Sequence, residues 1–329
     1  MAPQPKLKGV VLAAGLGTRL LPLTQAWPKP LVPFLGSSAL ELALWRLKNA
    51  CIDNVAINAH YLSEQFIHAT SHSLFNQSLH VSYEPTLLGT GGVYGPLKKW
   101  RDGHDLLILN GDIISNINIT QLIHHHIATK SVATMVLLPH VIPGESAVWH
   151  KDGRVYAIGR DPVEGLLSGN FACAQILSSK LLNRLPETGA FDIISKGYKV
   201  ALDSGETVSC ILHQGLWHDL RTPQYYWEAI KDCLRHLASD PGDSLGLRHI
   251  RGLRQMPTDV RSDYVLSDLS GFDRRQGLEL GPWTVIENGS KIGENCHVRE
   301  SLILPGAVLP PGSHVSRRIL GHGIDIPLA

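Results

Sequence analysis

The sequence predicts an α/β fold built on a Rossmann-like, mixed but mostly parallel sheet. Short apolar runs typical of buried strands alternate with amphipathic stretches typical of helices. The runs Val10–Ala14 and Leu106–Leu109 lead directly into small or acidic residues, as strands do at the ligand-binding edge of open α/β sheets. Near the C-terminus the period changes, because Ile286, Ile292 and Val298 recur every six residues. The chain is therefore expected to combine an α/β domain with a repetitive β region.

Individual elements follow from the same patterns. Strands are expected over residues 55–60, 80–84, 105–112, 131–138, 171–177 and 206–212. Helices are expected over residues 39–50, 120–128, 191–202 and 224–238, and a further helix opens at Ser63. Alternation of strands with crossover helices favours right-handed parallel connections.

Composition excludes several classes of function. The 329 residues carry a formal net charge of +1, which gives no electrostatic reason to expect a nucleic-acid or membrane partner. No apolar run approaches the roughly 18 residues of a membrane span. Five cysteines at positions 51, 173, 210, 233 and 296 show neither metal-binding nor CxxC spacing. We therefore expect reduced thiols and a cytoplasmic location.

The first motif suits phosphate chemistry. The strand over residues 10–14 ends in small residues, Ala14 and Gly15, which let a phosphate chain lie against the backbone. The candidate nucleotide-binding residues of this stretch are Leu12, Ala13, Ala14, Gly15, Gly17 and Thr18, where loop N–H groups can face phosphate oxygens, and Arg19, a planar five-donor cation. Ten residues later Lys29 stands between two prolines, which hold its charge on a stiff backbone. We expect a flexible bend over residues 21–26 between the two cations.

These residues resemble the signature of the sugar-1-phosphate nucleotidylyltransferases, in which L-A-A-G-x-G-T-R-[LM]-x-P-L-T precedes P-K-P. Leu12 to Arg19, then Pro22-Leu23-Thr24 and Pro28-Lys29-Pro30, fit it without a gap. The alternative is a generic strand–loop–helix turn of another Rossmann-like protein. A dinucleotide fingerprint is not satisfied, because position 20 is Leu where G-x-G-x-x-G requires Gly.

The resemblance implies roles for a second glycine-rich stretch. In the family an acceptor residue about five positions before G-T reads the base, and Glu84, Gly89 and Thr90 fit that spacing. Glu84 can accept from uracil N3–H or from the guanine N–H groups, so UTP and GTP both remain open. The alternative for this stretch is a glycine-rich surface turn.

The resemblance also implies two carboxylates on Mg²⁺. Asp112 follows an apolar strand, and Asp219 lies in Trp217-His218-Asp219-Leu220-Arg221-Thr222-Pro223, where the family has W-x-D-[IV]-G-T-P. Arg221 departs from the usual glycine. A capping aspartate is the alternative for Asp112. Because Asn110-Gly111-Asp112 replaces D-x-D, the sequence argues against a glycosyltransferase.

Sugar recognition is less defined. Asn170 and Cys173 are candidate substrate-binding residues, with Cys173 standing where the family carries Gly, and Gly159-Arg160-Asp161 replaces the usual sugar-binding Glu. The stretch from Gly169 to Pro223 resembles the compact N-acetylmuramate-1-phosphate uridylyltransferases. His124-His125-His126 is interpreted as a helix surface, because consecutive helical side chains diverge by about 100°.

The C-terminal repeat resembles the short left-handed β-helix appended to guanylyl- and adenylyl-transferring relatives, with an irregular β meander as the alternative. We expect a nucleotidyltransferase domain over residues 1–240, a linker over 241–280 and the β-helix over 281–329. Too few coils fit for an acetyltransferase site, so homo-oligomerisation through the coils is the expected role.

Together the motifs imply a Mg²⁺-dependent enzyme that converts an NTP and a sugar 1-phosphate to an NDP-sugar and pyrophosphate. Arg19, Lys29, Asp112 and Asp219 are the expected catalytic residues. The resemblance implies that Arg19 stabilises the departing pyrophosphate and that Lys29 holds the two reacting phosphates together. A non-catalytic paralogue that binds an NDP-sugar is the alternative. The sequence leaves the base, the sugar and the oligomeric state open.

Overall fold

The computed structural model describes residues 6–71, 79–240, 242–253, 259–260, 264–266 and 277–329. The chain divides into two compact units. One comprises Met1–Gly15 and Arg46–Trp217, and the other comprises Leu16–Trp45 and His218–Ala329. The expected domain boundaries at residues 240 and 280 remain predictions, since the units are defined by contacts and not by chain order.

The first unit is built on a nine-stranded sheet. In spatial order its strands are Leu79–Tyr83, Val55–Ala59, Leu7–Leu12, Asp105–Asn110, Leu167–Leu177, Ala133–Leu138, Val208–Leu212, Arg154–Gly159 and Ala147–Lys151. The central strands are almost wholly apolar, as expected for strands covered on both faces. The α/β class predicted from the sequence is confirmed.

The direction of the strands corrects one expectation. The strands up to Asn110 pair in parallel. The long strand Leu167–Leu177 then runs antiparallel to both of its central neighbours, and the hairpin of Ala147–Lys151 and Arg154–Gly159 adds further antiparallel pairs. The sheet is mixed, and it is mostly parallel only in its N-terminal half. The two strands of the hairpin are joined by the two-residue turn Asp152-Gly153, which is possible only for antiparallel neighbours.

Helices in this unit flank the sheet. They span Glu64–Ser71, Gly89–Gly92, Lys98–Arg101, Ile119–Thr129, Ser179–Leu182 and Lys199–Asp203, with a π-helical turn at Ile194–Tyr198. A large apolar core joins strand side chains such as Ile108 and Met135 to Leu97 and Tyr198. The expected helix over residues 191–202 begins two residues later, at Ile193, because the backbone of residues 187–191 follows the glycine-rich stretch in bends and irregular structure.

In the second unit, the segment after the first motif folds into short helical turns at Thr18–Leu20, Leu23–Ala26 and Lys29–Leu31, followed by the tight strand pair Pro33–Phe34 and Ser37–Ser38. The helix Ala39–Asn49 leads from this unit back into the first. Two further helices, Pro223–Ser239 and Leu247–Leu253, follow later in the chain. No helix in the described ranges is both long and apolar enough to cross a bilayer.

The C-terminal strands form three parallel stacks that share one register. Thr284 pairs with Ser301, His297 with His314 and Lys291 with Val308, each 17 residues further along the chain. The inward apolar positions are spaced by six, six and then five residues, and they are Ile286, Ile292, Val298, Ile303, Leu309, Val315 and Leu320. The six-residue repeat expected from the sequence is therefore shortened by one residue in each circuit.

The expected linker over residues 241–280 contains the helix Leu247–Leu253 and the antiparallel pair Asp259–Val260 and Tyr264–Leu266. Much of the remainder lies outside the described residues. The last of these strands joins the first parallel stack through Tyr264 and Thr284. Part of the expected linker thus continues the C-terminal β region.

Candidate active site

The first motif begins where the strand Leu7–Leu12 ends in the first unit. Ala13 and Ala14 are buried and Gly15 is exposed. The backbone N–H of Ala13 donates to Oδ1 of Asn58 over 2.7 Å, and the N–H of Gly111 donates to the Leu12 carbonyl over 2.8 Å. The start of the loop is thus fixed by the ends of two neighbouring strands, as expected for a parallel sheet.

Glu84, the expected base-reading residue, is held by two internal hydrogen bonds. Its Oε1 accepts from Nδ2 of Asn58 over 2.7 Å, and its Oε2 accepts from the Leu88 N–H over 3.0 Å. Because Asn58 also accepts from Ala13, one amide side chain joins the phosphate motif to the predicted base-binding stretch. Sequence reasoning missed Asn58. Its signal was a polar residue at the carboxyl end of an otherwise apolar strand.

The glycines after Glu84 are required by packing within the protein. Gly89 has a φ of +71°, and a Cβ there would lie 2.7 Å from the Phe191 carbonyl oxygen. A Cβ on Gly91 would lie 2.4 Å from the Phe191 ring. The hydroxyl of Thr90 accepts from the Ile193 N–H over 3.1 Å. Residues 189–193 thus approach the backbone of this glycine-rich stretch closely, while the assignment of Gly89 and Thr90 to nucleotide binding stays a prediction.

Asp112 lies half-buried just after the strand Asp105–Asn110, where its carboxylate suits a hard divalent cation. No group of three or more His, Cys, Asp and Glu side chains in the described part of the chain could hold a metal ion. A Mg²⁺ ion held by few protein ligands takes most of its coordination from substrate phosphates and water. Asp112 therefore fits a site that is completed by substrate.

In the second unit the segment from Gly17 to Lys29 is compact. Gly17 has a φ of +65°, and a Cβ there would lie 2.8 Å from the Thr24 side chain and 3.0 Å from Cβ of Lys29. The Thr24 hydroxyl donates to the Gly17 carbonyl over 3.0 Å. The expected flexible bend is wrong, because Leu23 and Thr24 are buried in a helical turn that holds the glycine loop against Lys29.

The two cations of this segment differ in exposure. Thr18 and Arg19 are exposed, whereas Lys29 is buried. Nζ of Lys29 lies 2.8 Å from Oδ1 of Asp219. The other carboxylate oxygen, Oδ2, lies 2.9 Å from Nε of Arg221. The second unit thus brings together the lysine of P-K-P, the aspartate of the second motif and the arginine that departs from the family pattern.

The last two residues of the second motif start a helix. Thr222 is the N-cap of Pro223–Ser239, and its side chain accepts from the Tyr225 N–H. Pro223 occupies the first helical turn, where a missing N–H costs nothing. The end of the second motif is therefore fixed locally by the start of this helix.

The two candidate sugar-binding residues lie on the strand Leu167–Leu177. Oδ1 of Asn170 accepts from the Ile142 N–H over 3.2 Å. Cys173 has a φ of +59° and sits where the pairing with Ala133–Leu138 shifts register. A left-handed conformation favours glycine, which accounts for the glycine that the family carries here. Their contact with a sugar stays a prediction.

The histidine triplet lies in the helix Ile119–Thr129, and its last member is not on the surface. His126 is buried, and its Nδ1 lies 2.7 Å from the Thr134 hydroxyl. Burial lowers the pKa of His126, while the nearby Asp105 carboxylate acts in the opposite direction. His124 is exposed and His125 is partly buried, so the triplet consists of one core residue and two more accessible neighbours.

Comparison of the sequence with known proteins finds similar nucleotidyltransferases. Residues 8–145 match the Nucleotidyl transferase family. The chain is 22% identical to a UTP–glucose-1-phosphate uridylyltransferase of Synechocystis, over 95% of this chain and 82% of the relative. It is 25% identical to a mannose-1-phosphate guanylyltransferase of Mycobacterium tuberculosis, over 94% of this chain and 81% of the relative.

Among solved structures, HddC from Yersinia pseudotuberculosis, complexed with GMP-PN, is similar with a TM-score of 0.56 at 20% identity. The match covers 69% of this chain and 99% of that one. This similarity concerns the fold. The family match over residues 8–145 and the two relatives show that the chain is similar to sugar-1-phosphate nucleotidylyltransferases along most of its length.

Proposed function

We propose that this enzyme transfers a nucleotidyl group from GTP or UTP to a sugar 1-phosphate in a Mg²⁺-dependent reaction that releases pyrophosphate. The observation that carries the proposal is the ion pair of Lys29 with Asp219. It joins the two family motifs, 190 residues apart in the chain, at one point of the second unit. A buried lysine on a proline-flanked backbone has little conformational freedom to lose, so it can orient a phosphate at a low cost in entropy.

The chain's own residues would act by position and charge. The sugar phosphate oxygen is already anionic at neutral pH, so in-line attack on the α-phosphorus needs no general base. Arg19, exposed and planar, would bind the β- and γ-phosphates that leave as pyrophosphate. Lys29 would hold the two reacting phosphates together against their mutual repulsion.

The two proposed Mg²⁺ ligands, Asp112 and Asp219, differ in how available their carboxylates are for a metal ion. Asp112 is a half-buried carboxylate that suits a hard cation. Asp219, the second expected ligand, is engaged by a cation at each oxygen. When bound, the metal would neutralise phosphate charge in the transition state. Asp112 is therefore the stronger candidate ligand, and Asp219 is proposed as a ligand only once its ion pairs loosen.

The proposed donor rests on Glu84. A buried carboxylate accepts hydrogen bonds and donates none, which suits the N–H edges of guanine or uracil. The relatives include guanylyl- and uridylyltransferases, in keeping with either base. Asn170 and Cys173 are proposed to face the sugar.

A panel of four NTPs with glucose, mannose, N-acetylglucosamine and N-acetylmuramate 1-phosphates tests the proposal by pyrophosphate release. We expect release with GTP or UTP and one or two sugars, dependent on added Mg²⁺. Each reaction is repeated without sugar phosphate to measure simple hydrolysis. Absence of pyrophosphate for every pair in the presence of Mg²⁺ would contradict the proposed reaction.

For the C-terminal strands we propose a short left-handed β-helix that supports homo-oligomerisation. The three parallel stacks with one 17-residue register favour a coil over an irregular meander. Light scattering of the purified enzyme tests the assembly: a monomeric mass at micromolar concentration would contradict it. The cytoplasmic location stays a prediction.

A further inference from the structure

At position 221 this chain has Arg where the resembled second motif has Gly, while Trp217, Asp219, Thr222 and Pro223 match that motif. The Arg221 N–H donates to the Asp219 carbonyl over 2.7 Å, so the turn is closed by backbone. Arg221 does not take a positive φ, so its backbone conformation is open to any residue. The arginine therefore matters through its side chain.

That side chain completes a cluster of three charges. Nε of Arg221 donates to Oδ2 of Asp219 over 2.9 Å, and Lys29 donates to Oδ1 over 2.8 Å. The side chains are only 9% exposed at Lys29, 18% at Asp219 and 16% at Arg221, so water screens them weakly. The Arg221 guanidinium also lies 5.9 Å from the centre of the Tyr225 ring. One carboxylate is thus shared by two cations.

A divalent cation at Asp219 would meet both of them. It would have to share each oxygen with a hydrogen-bonded cation, or displace one cation from its partner. Lys29 is part of the resembled P-K-P motif, whereas Arg221 stands where the resembled second motif has Gly. The cation on Oδ2 is therefore the one that the motif does not include.

We propose that Arg221 is a positioning residue that holds Asp219 as the anionic partner of Lys29 and thereby weakens the binding of divalent cations to Asp219. The inference rests on the proposed function, in which Asp219 is a candidate Mg²⁺ ligand. Arg221 keeps Lys29 and Asp219 in register before substrate binds. The enzyme then needs more free metal than it would with a small residue at position 221.

Mn²⁺ binding to the full-length, substrate-free protein tests this inference without reference to turnover. Electron paramagnetic resonance of free Mn²⁺ gives the affinity of the wild type, Arg221→Ala, Arg221→Lys and the double variant Arg221→Ala/Asp219→Asn. We expect Arg221→Ala to bind Mn²⁺ about tenfold more tightly than the wild type and Arg221→Lys to fall between them. The gain should disappear in the double variant.

The matched control is Arg318→Ala. Arg318 pairs through the same Nε atom with Asp325, 2.6 Å away, and within the described ranges no lysine pairs with that carboxylate. We expect its Mn²⁺ affinity to equal that of the wild type. Thermal denaturation checks that each variant folds, and Arg221→Gln, which keeps the stem, replaces Arg221→Ala if the latter does not. Wild-type affinity in the alanine or glutamine variant, or a gain that persists in the double variant, overturns the inference.

A second measurement separates this inference from the proposed function. The Mg²⁺ concentration for half-maximal pyrophosphate release should fall in Arg221→Ala. If the wild type releases no pyrophosphate with any substrate pair, the proposed function fails while the Mn²⁺ comparison still stands. If the wild type is active and the variants bind Mn²⁺ equally, the inference alone fails.

Discussion

Nζ of Lys29 lies 2.8 Å from Oδ1 of Asp219, which joins residues 190 positions apart in the chain. The lysine is buried, and its backbone is set between Pro28 and Pro30 in a helical turn. Gly17 packs against its Cβ, so the loop that precedes it also fixes its position. The ion pair thus links the segment of the first motif to the second motif.

Replacement of Lys29 by alanine should slow catalysis more than it destabilises the protein. A lost phosphate contact in a closed site costs ~2–4 kcal/mol of transition-state stabilisation, or roughly 30- to 1000-fold in kcat/KM. Asp219 keeps Arg221 as a partner, so the fold should survive. Steady-state kinetics should show a raised KM for sugar 1-phosphate or a lowered kcat, with NTP affinity by calorimetry largely kept.

Arg19→Ala is the companion variant. Because Arg19 is exposed and directly follows the loop, its loss should weaken NTP binding and slow turnover together. Loss of NTP binding in Lys29→Ala with retention in Arg19→Ala would show that the two roles are reversed.

Asn58 should control both stability and nucleotide binding. Asn58→Ala leaves the Ala13 N–H and Oε1 of Glu84 without their shared partner, at a cost of about 1–3 kcal/mol for buried polar groups. Asn58→Asp keeps the acceptor for Ala13 but places a second carboxylate beside Glu84. Urea unfolding should show destabilisation in both variants, and calorimetry should show weaker NTP binding. Asn49→Ala, at an exposed position, should match the wild type.

Glu287 should couple the C-terminal β region to the segment that carries Lys29. Its carboxylate is buried and accepts from the Gly36 N–H at 2.8 and 3.1 Å, at the tip of the strand pair that follows Lys29. Glu287→Ala leaves a buried N–H without this acceptor, and we expect a loss of about 1–3 kcal/mol in the free energy of unfolding. Glu287→Gln keeps one oxygen acceptor and should lose less. Equal stability of the alanine variant and the wild type would show that this contact contributes nothing.

The buried histidines should make the protein sensitive to mild acid. Burial lowers the pKa of His126, with Asp105 opposing and His125 reinforcing the shift, so the native ring stays neutral where the unfolded ring binds a proton. The unfolded state then binds more protons below its pKa of about 6.5. Stability is therefore complete above about pH 6.5 and falls as the pH drops below it, by up to about 1.4 kcal/mol per pH unit for one group.

Urea unfolding between pH 5 and 8 measures this slope. His126→Gln should reduce it, whereas His124→Gln, on the exposed side of the same helix, should leave it unchanged. Burial also lowers the pKa values of His125, His150, His213 and His218, so part of the slope should remain. If the pH dependence of the unfolding free energy is the same in His126→Gln and the wild type, the acid sensitivity must come from these other histidines.

The sequence by itself determined the local units of this enzyme. About twenty residues contain, in order, the first strand, the glycine loop, Arg19 and the proline-flanked Lys29. In the second motif, a helix starts at Thr222 and Pro223 through short-range hydrogen bonding. Such features depend on neighbours in the chain, so a residue pattern is enough to find them. The turn at Gly17 and the alternation of strands and helices that defines the α/β class are also local features, so the sequence pattern predicts them too.

Tertiary structure alone decided which distant groups meet. Asn58 forms hydrogen bonds with both Ala13 and Glu84, and Glu287 accepts a hydrogen bond from Gly36. Asp219 forms ion pairs with both Lys29 and Arg221. Packing makes these contacts by bringing together segments between 26 and 251 residues apart. It also decided that Leu167–Leu177 runs antiparallel and that each C-terminal circuit takes 17 residues. Hydrophobic patterning specifies which face of an element is buried, whereas the identity of the partner on that face depends on the whole fold.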